Sequence, residues 1–151
     1  MSPSDYNARI IDEFRANEGR VGGSFDGVPL LLLHHTGARS GERRINPLSY
    51  QRDDSRYVVF ASRGGAPRNP AWYHNLKTNP NATIEVGTDT IEIRASEAGG
   101  EERERLYRTQ AERIPQFAEY ERRTERTITG MVRSLRRSYS ANCGMRSACV
   151  R

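Results

Sequence analysis

Cysteine and long apolar runs are scarce in this chain of 151 residues, and each shortage argues against a class of protein. The two cysteines, Cys143 and Cys149, lie near the C-terminus with no histidine around them, so neither a zinc knuckle nor a redox pair is expected. The longest apolar run, Val28 to Leu33, is far shorter than the roughly 20 residues that a membrane-spanning helix needs. The polar opening residues lack the apolar stretch of a signal peptide. We therefore expect a cytoplasmic protein with one domain.

Acidic residues are lacking after Ile128. All 19 acidic residues and 19 of the 24 basic ones precede that point, so residues 1–128 are electrically neutral and the net charge of +5 belongs to residues 129–151. A basic tail differs from a basic binding face, and nucleic-acid binding is therefore not expected. The composition predicts one domain over residues 1–128 and a divergent basic tail over residues 129–151. This tail could be disordered or could contact an anionic membrane surface, and the sequence does not decide between these two alternatives.

Short apolar and alternating segments predict a mainly antiparallel sheet. Residues 28–36 form a continuous apolar run that is typical of a strand buried on both faces. Residues 82–95 alternate apolar and polar side chains about a Gly-Thr-Asp turn, as a half-exposed hairpin does. Two polar helices separated at Pro115 are expected further along. The predicted fold class is α+β, a small split β-barrel with peripheral helices.

A second hairpin is predicted from residues 44–52 and residues 56–62, which are rich in β-branched and aromatic side chains. This pairing would bring Arg44 and Ser62 to neighbouring strand ends. Any loop that follows or precedes these ends would then face the same region of the molecule.

The segment "ASRGGAPRNPAWYHNL", residues 61–76, has the features of an anion-binding loop. Asn69 and Pro70 have the form of an N-cap and a first helical residue, so the free N–H groups of a helix would face back toward Arg63 and two adjacent glycines. Phosphate or carboxylate would be stabilised there. An ordinary strand-to-helix connection, with Trp72 filling the core, is the alternative interpretation.

The turn "TGARSGERR" offers a second place for an oxyanion, through the Ser40 hydroxyl and the guanidinium groups of Arg39 and Arg44. Its glycine spacing differs from that of a P-loop. A solvated arginine turn explains the same residues, and the functional interpretation gains weight only if both loops lie at the same ends of adjacent strands.

Neither a metal site nor a covalent nucleophile is expected. His34 and His35 are adjacent in a predicted strand, so their side chains point to opposite faces and cannot easily share one metal ion. No serine lies in a nucleophile-elbow pattern, and the chain has no Cys-His pair outside the tail.

A stripe of Ile114, Phe117 and Tyr120 recurs every three residues on one predicted helical face. Packing of the helix on the core explains the stripe most simply. The Tyr120 hydroxyl nevertheless needs a partner if it is buried, and a substrate is one such partner.

Residues 30–50, 58–86 and 121–128 together resemble the deazaflavin-dependent nitroreductase family of actinobacteria, also described as F420H2-dependent quinone reductases. The resemblance implies a flavin-reductase or pyridoxamine-oxidase-like split barrel that binds reduced coenzyme F420, an 8-hydroxy-5-deazaflavin with a phosphate and a polyglutamate tail. It also implies hydride transfer to quinone-like or nitroaromatic acceptors. An FMN-dependent oxidoreductase on the same barrel, a non-catalytic deazaflavin carrier and a nucleic-acid-binding protein are the alternatives.

Residue roles follow from the resemblance together with the two loops. Tyr120 and Ser62 are expected to hydrogen-bond the developing anion of the acceptor, and Ile114, Phe117 and Tyr120 to line the substrate pocket. The residues expected to contact the coenzyme are Arg39, Ser40, Arg44, Ser62, Arg63, Gly64, Gly65, Asn69, Pro70, Ala71, Trp72 and Tyr73.

The residues after Ile128 depart from the family pattern, which usually continues with a proline and a hydrophobic strand. The sequence here does not read as an alternating strand, and whether these residues close the barrel stays open. A loose tail is the simpler interpretation. A short amphipathic basic helix with Met131, Val132, Leu135 and Tyr139 on one face is the alternative.

Overall fold

The computed structural model describes residues 3–135, and residues 1, 2 and 136–151 lie outside the described part. The described chain contains α1 (Pro3–Ala16), β1 (Leu30–Thr36), β2 (Arg43–Ser49), β3 (Gln51–Asp53), β4 (Arg56–Phe60), α2 (Ala71–Thr78), β5 (Asn81–Val86), β6 (Asp89–Ala98), α3 (Gly100–Arg113), α4 (Gln116–Arg123) and β7 (Gly130–Leu135). Two short 3-10 helices, Gly23–Phe25 and Arg63–Gly65, lie in the connections.

The strands form one sheet in the order β2-β1-β5-β6-β7-β4-β3, and every pairing is antiparallel. The two outermost strands, β2 and β3, are separated in the chain by Tyr50 alone. A sheet whose edge strands are consecutive in sequence must curl back on itself. The predicted α+β barrel with peripheral helices is therefore confirmed.

Strand β1 is covered on both faces, as its continuous apolar run predicts. Leu31 and Leu33 pack inside the barrel with Trp72 of α2. Leu30 and Leu32 point to the other face, where Phe14 of α1 covers them. All four leucines are buried, so this strand joins two cores.

The second half of the sheet also agrees with the sequence pattern. Strands β5 and β6 form the predicted hairpin, with Val86 opposite Asp89 across the turn. Helices α3 and α4 are separated at Pro115, because α3 ends at Arg113 and α4 begins at Gln116.

The other predicted hairpin is only partly right. Residues 51–53 do pair with residues 56–58, but β2 pairs with β1 instead, with Arg43 opposite Thr36. The chain changes direction at Tyr50, whose N–H donates to the Pro29 carbonyl at 3.1 Å. Tyr50 therefore connects the two edge strands of the sheet, β2 and β3.

The residues after Ile128 do close the barrel, and the interpretation that they cannot read as a strand is wrong for Gly130–Leu135. Strand β7 lies between β6 and β4 and supplies the backbone partner of both. Gly130 begins it, and a Cβ there would lie 3.0 Å from the Phe60 ring, so the glycine permits the close approach. The alternative of an amphipathic helix from Met131 to Tyr139 is likewise wrong as far as Leu135.

The remainder of the predicted tail, with Tyr139, Cys143 and Cys149, lies outside the described residues. A domain boundary after Ile128 stays a prediction. Within residues 3–135, no helix is both long and apolar enough to cross a bilayer.

Candidate functional site

The turn between β1 and β2, residues 37–42, is closed by its own hydrogen bonds. Gly37 N–H donates to the Glu42 carbonyl at 2.8 Å, and Gly41 N–H donates to the Gly37 carbonyl at 2.9 Å. Gly41 has a φ of 70°, a conformation that glycine adopts without strain. The Ser40 Oγ accepts from the Glu42 N–H at 3.2 Å. We call this segment together with Arg43 and Arg44 the arginine turn, residues 37–44.

Helix α2 is joined to the arginine turn through Asn75, which is buried. The Asn75 Oδ1 accepts from the Ala38 N–H at 2.9 Å, and its Nδ2 lies 3.0 Å from His35 Nδ1. His35 Nε2 lies 2.7 Å from Asn46 Oδ1. Strands β1 and β2, the arginine turn and helix α2 thus share one chain of polar contacts.

A cavity of about 530 Å³ opens where the arginine turn meets α2. Among the described residues its lining contains no acidic side chain, and the Arg44 guanidinium lies 4.0 Å from the Glu42 carboxylate at the rim of the turn. We call it the anion cavity. It is lined by Gly37, Ala38, Arg39, Ser40, Arg44, Ala71, His74 and Asn75.

The structure brings together four of the residues predicted to bind the coenzyme, Arg39, Ser40, Arg44 and Ala71, on this cavity. Ala71 is the first residue of α2, and no side chain caps that helix end. Free N–H groups at a helix start favour an anion, as do exposed guanidinium groups. The cavity therefore has the chemistry of a phosphate or carboxylate site.

The predicted N-cap role of Asn69 is wrong. Pro70 is the N-cap residue, in an extended conformation with φ −66° and ψ 155°, and α2 begins one residue later. The Asn69 side chain instead accepts a hydrogen bond from Arg126. Neither Asn69 nor Pro70 lines the anion cavity.

Trp72 and Tyr73 lie in the barrel core and do not line the anion cavity. They retain only 5% and 8% exposure, respectively. The Tyr73 hydroxyl donates a hydrogen bond to Glu97 of β6. The pKa of Tyr73 is raised above its usual value mainly by burial and also by this hydrogen bond. Both aromatic residues thus fasten α2 to the barrel.

The segment Ser62–Gly65 packs against α4 instead of the anion cavity. Arg63, Gly64 and Gly65 all have positive φ, at 45°, 63° and 81°. A Cβ on Gly65 would lie 3.0 Å from the Tyr120 carbonyl oxygen, so this glycine is required for the contact with α4. The structure therefore places the loop segment Arg63–Gly65, which follows Ser62, against the backbone of α4 at Tyr120.

Arg126 holds this loop, and sequence reasoning missed it. Its guanidinium donates from Nη1 to Asn69 Oδ1 at 2.8 Å. The other acceptors are the carbonyl oxygens of Ala66, Ala61, Ser62 and Arg68, at 3.0, 3.0, 3.1 and 3.3 Å. Burial lowers the pKa of Arg126 from its usual value. Nothing in "ERRTERTI" distinguishes this arginine from its neighbours.

The three residues predicted to line a substrate pocket pack in one hydrophobic cluster. Phe117 is buried, with its ring edge-on to Phe60 at 6.0 Å, and Tyr120 packs on it at 5.3 Å. Ile114 lines a separate cavity of about 550 Å³ beside Tyr50. The core-packing interpretation therefore fits all three residues, with Phe117 buried and Ile114 and Tyr120 partly buried, and their role toward a substrate stays a prediction.

The histidines of β1 point to opposite faces, as the strand geometry predicts. His34 Nε2 lies 2.5 Å from Glu85 Oε2, whereas His35 joins Asn46 and Asn75. In the part of the chain that the structure describes, no three histidine, cysteine or acidic side chains cluster as metal ligands do.

Comparison with known proteins places this arrangement in a family. The family model described as F420H(2)-dependent quinone reductase matches residues 8–134. An F420H(2)-dependent quinone reductase of Mycobacterium tuberculosis is 46% identical over 83 residues, which is 54% of this chain and 56% of the relative. The chain thus aligns with little more than half the length of that relative.

A second M. tuberculosis protein, provisionally named as an F420H(2)-dependent quinone reductase, is 38% identical over 110 residues, or 72% of this chain and 92% of the relative. A solved structure of an F420-H2 dependent reductase superposes with a TM-score of 0.65 and 36% identity, covering 70% of this chain and 94% of that one. The chain belongs to the F420H(2)-dependent quinone reductase family.

Proposed function

We propose that the protein binds reduced coenzyme F420 and transfers a hydride from it to a quinone. The observation that carries this proposal is the anion cavity, which combines Arg39, Ser40 and Arg44 with the open start of α2 and has no acidic residue in its lining. Family membership supplies the identity of the anion.

The donor set of the cavity fits the charged half of this coenzyme. A phosphate and a polyglutamate tail need guanidinium and N–H donors, which Arg39, Arg44 and the first turn of α2 present. The Ser40 oxygen is already an acceptor within the arginine turn, which leaves its hydroxyl hydrogen to donate outward. The residues present therefore suit the group.

When bound, the reduced deazaflavin supplies the hydride, and the protein supplies orientation and charge complementarity. A quinone that accepts a hydride must also gain a proton to become a quinol. Ser62 and Tyr120 belong to the loop and helix that pack together through Gly65, and we propose them as hydrogen-bond donors to the developing oxyanion. Arg63, in the same loop, adds positive charge beside them.

Nitroaromatic acceptors also suit a hydride donor and are proposed as alternative substrates. Peripheral membrane contact through the basic tail concerns residues outside the described part, and nothing within residues 3–135 adds support for it.

The test is a titration of the purified protein with reduced F420, followed by menadione. Saturable binding and reoxidation of the coenzyme only when both protein and quinone are present would support the proposal. Binding without reoxidation would identify a carrier, and a yellow protein with flavin absorbance would identify an FMN enzyme. No binding at micromolar coenzyme would overturn the proposal.

A further inference from the structure

A buried polar chain runs beneath the anion cavity, from Asn46 of β2 through His35 of β1 and Asn75 of α2 to the Ala38 N–H. His35 is 4% exposed and Asn75 is 7% exposed. Neither belongs to the residues expected to contact the coenzyme, although Asn75 forms part of the cavity lining.

The hydrogen-bond directions along this chain are fixed by its last member. The Ala38 N–H is only a donor, so Asn75 must present Oδ1 to it and Nδ2 to His35. Nδ2 is only a donor, so His35 Nδ1 must accept. The imidazole then carries its hydrogen on Nε2 and donates to Asn46 Oδ1. A neutral Nε2–H histidine is the one form that satisfies all three contacts.

We infer that His35 and Asn75 are positioning residues that hold the arginine turn in its anion-binding shape. His35 fixes the orientation of the Asn75 amide, and that amide holds Ala38, the residue directly before Arg39. The inference rests on the proposed function only for the identity of the anion.

Both arginines of the cavity depend on the same imidazole. Arg44 lies opposite His35 in the β1–β2 ladder, and Asn46, two residues further along β2, accepts from the ring. Arg39 follows the Ala38 amide that Asn75 holds. His35 therefore sets the separation between the strand that bears Arg44 and the helix whose start faces the cavity.

Loss of the imidazole releases the Asn75 amide. With no acceptor at His35 Nδ1, the Asn75 side chain is free to turn, and the Ala38 N–H loses the partner outside the turn. The internal bonds of the turn, such as Gly37 to Glu42, remain. The turn then keeps its internal hydrogen bonds but is no longer held against α2. We therefore expect the variant to bind the anion more weakly.

The experiment compares His35→Leu and His35→Gln with His34→Leu as the matched control, since His34 occupies the next position on the opposite face of β1. Gln retains one acceptor and one donor, so it should restore part of what Leu loses. We expect His35→Leu to weaken binding of reduced F420 by about tenfold, with the kcat at saturating coenzyme unchanged. His34→Leu should leave coenzyme affinity as it is.

Three further readouts separate positioning from folding. The ¹⁵N shifts of His35 should show hydrogen on Nε2 and an accepting Nδ1, and exchange of the Ala38 amide should accelerate in His35→Leu at a temperature where that variant stays folded. Inorganic phosphate, as a second probe, should also bind more weakly to His35→Leu. Hydrogen on Nδ1, an unchanged Ala38 exchange rate or equal anion affinity in His35→Leu and His34→Leu would overturn the inference.

Failure of the proposed function gives a different pattern. A wild-type protein that binds phosphate but not reduced F420 refutes the proposed coenzyme, and the positioning of the arginine turn is then decided by the phosphate and amide-exchange measurements alone.

Discussion

The Arg126 guanidinium donates to the Asn69 side-chain oxygen at 2.8 Å, across 57 positions of sequence. This bond and four more to backbone carbonyls join the segment after α4 to the loop that leads into α2. An arginine whose five acceptors are all uncharged acts here as a clamp on backbone conformation. The loop geometry therefore depends on a residue far from it in the chain.

Replacing this clamp should destabilise the fold. Arg126→Ala leaves several carbonyl oxygens without a partner, and we expect a loss of roughly 2 to 4 kcal/mol in the free energy of unfolding. Arg126→Lys should recover only part of this, because an ammonium cannot reach five acceptors. Urea denaturation of both variants measures the effect, with the exposed Arg123→Ala as the control. Equal stability of the Arg126 and Arg123 variants would refute the clamp.

The contact between the Ser62–Gly65 segment and α4 can be tested with two neighbouring glycines. Gly65→Ala should cost about 2 to 4 kcal/mol, because its Cβ would meet the Tyr120 backbone at 3.0 Å and φ is 81°. Gly64→Ala, with a φ of 63° but open space around the Cβ, should cost only about 1 kcal/mol. Thermal unfolding of the pair distinguishes the two costs, and a larger loss in Gly64→Ala would contradict this geometry.

Strand β7 should be indispensable, since it lies inside the sheet between β6 and β4. Truncation before Gly130 exposes two strand edges and removes both ladders, so cooperative unfolding should be lost. Truncation after Leu135 retains both ladders and should be much less damaging. Circular dichroism melts of the two shortened chains provide the comparison, and indistinguishable melts would show that β7 is dispensable.

Acid should weaken the contact between α1 and β5. The hydrogen bond from Arg15 holds the pKa of Glu85 below its ordinary value of 4.5, and His34 adds to the effect. A lowered folded pKa means that the stabilisation is complete above about pH 4.5 and is lost as the pH falls through the folded pKa. Because Arg15 is half-exposed, we expect less than about 1 kcal/mol.

The measurement is the stability difference between the wild type and Glu85→Gln from pH 7 to pH 3. The difference should shrink toward acid. A stability difference between wild type and Glu85→Gln that grows toward acid would contradict a lowered pKa of Glu85 in the folded protein.

Sequence patterns correctly predicted the strands whose buried and exposed faces follow directly from the order of apolar and polar residues within the strand. The run of leucines in β1 faces two cores, and the alternation of β5 and β6 faces one, so period and composition suffice. Strand β7 lacked such a pattern, because its place is set by backbone bonding to neighbours 32 or more positions away. The pairing of β2 with β1 was missed for a different reason, because it is local, with Thr36 opposite Arg43 and Leu30 opposite Ser49, but the pattern of residues 44–52 does not distinguish β1 from β4 as the partner.

The candidate site was predictable only in its charged surface. An anion site was predictable from the residue types of Arg39, Ser40 and Arg44 and from the glycines that flank them, and all three residues line the anion cavity. The contacts that place them, from His35 to Asn75 and from Arg126 to Asn69, join residues 40 and 57 positions apart. Short-range patterns contain no information on such pairs. The contact of Asn69 with Arg126 and the core positions of Trp72 and Tyr73 could therefore be recognised only from the three-dimensional structure.

The most direct test of the central claim is the dissociation constant of reduced F420 for Arg39→Ala, Arg44→Ala and Arg108→Ala. The first two residues line the anion cavity, whereas Arg108 is an exposed arginine of α3 that lies on another surface. If the cavity holds the phosphate and tail, each of the first two variants loses about 1.5 to 3 kcal/mol, or roughly 10- to 150-fold in Kd, and Arg108→Ala binds like the wild type. Unchanged affinity in both cavity variants, with the wild type binding normally, would contradict the claim.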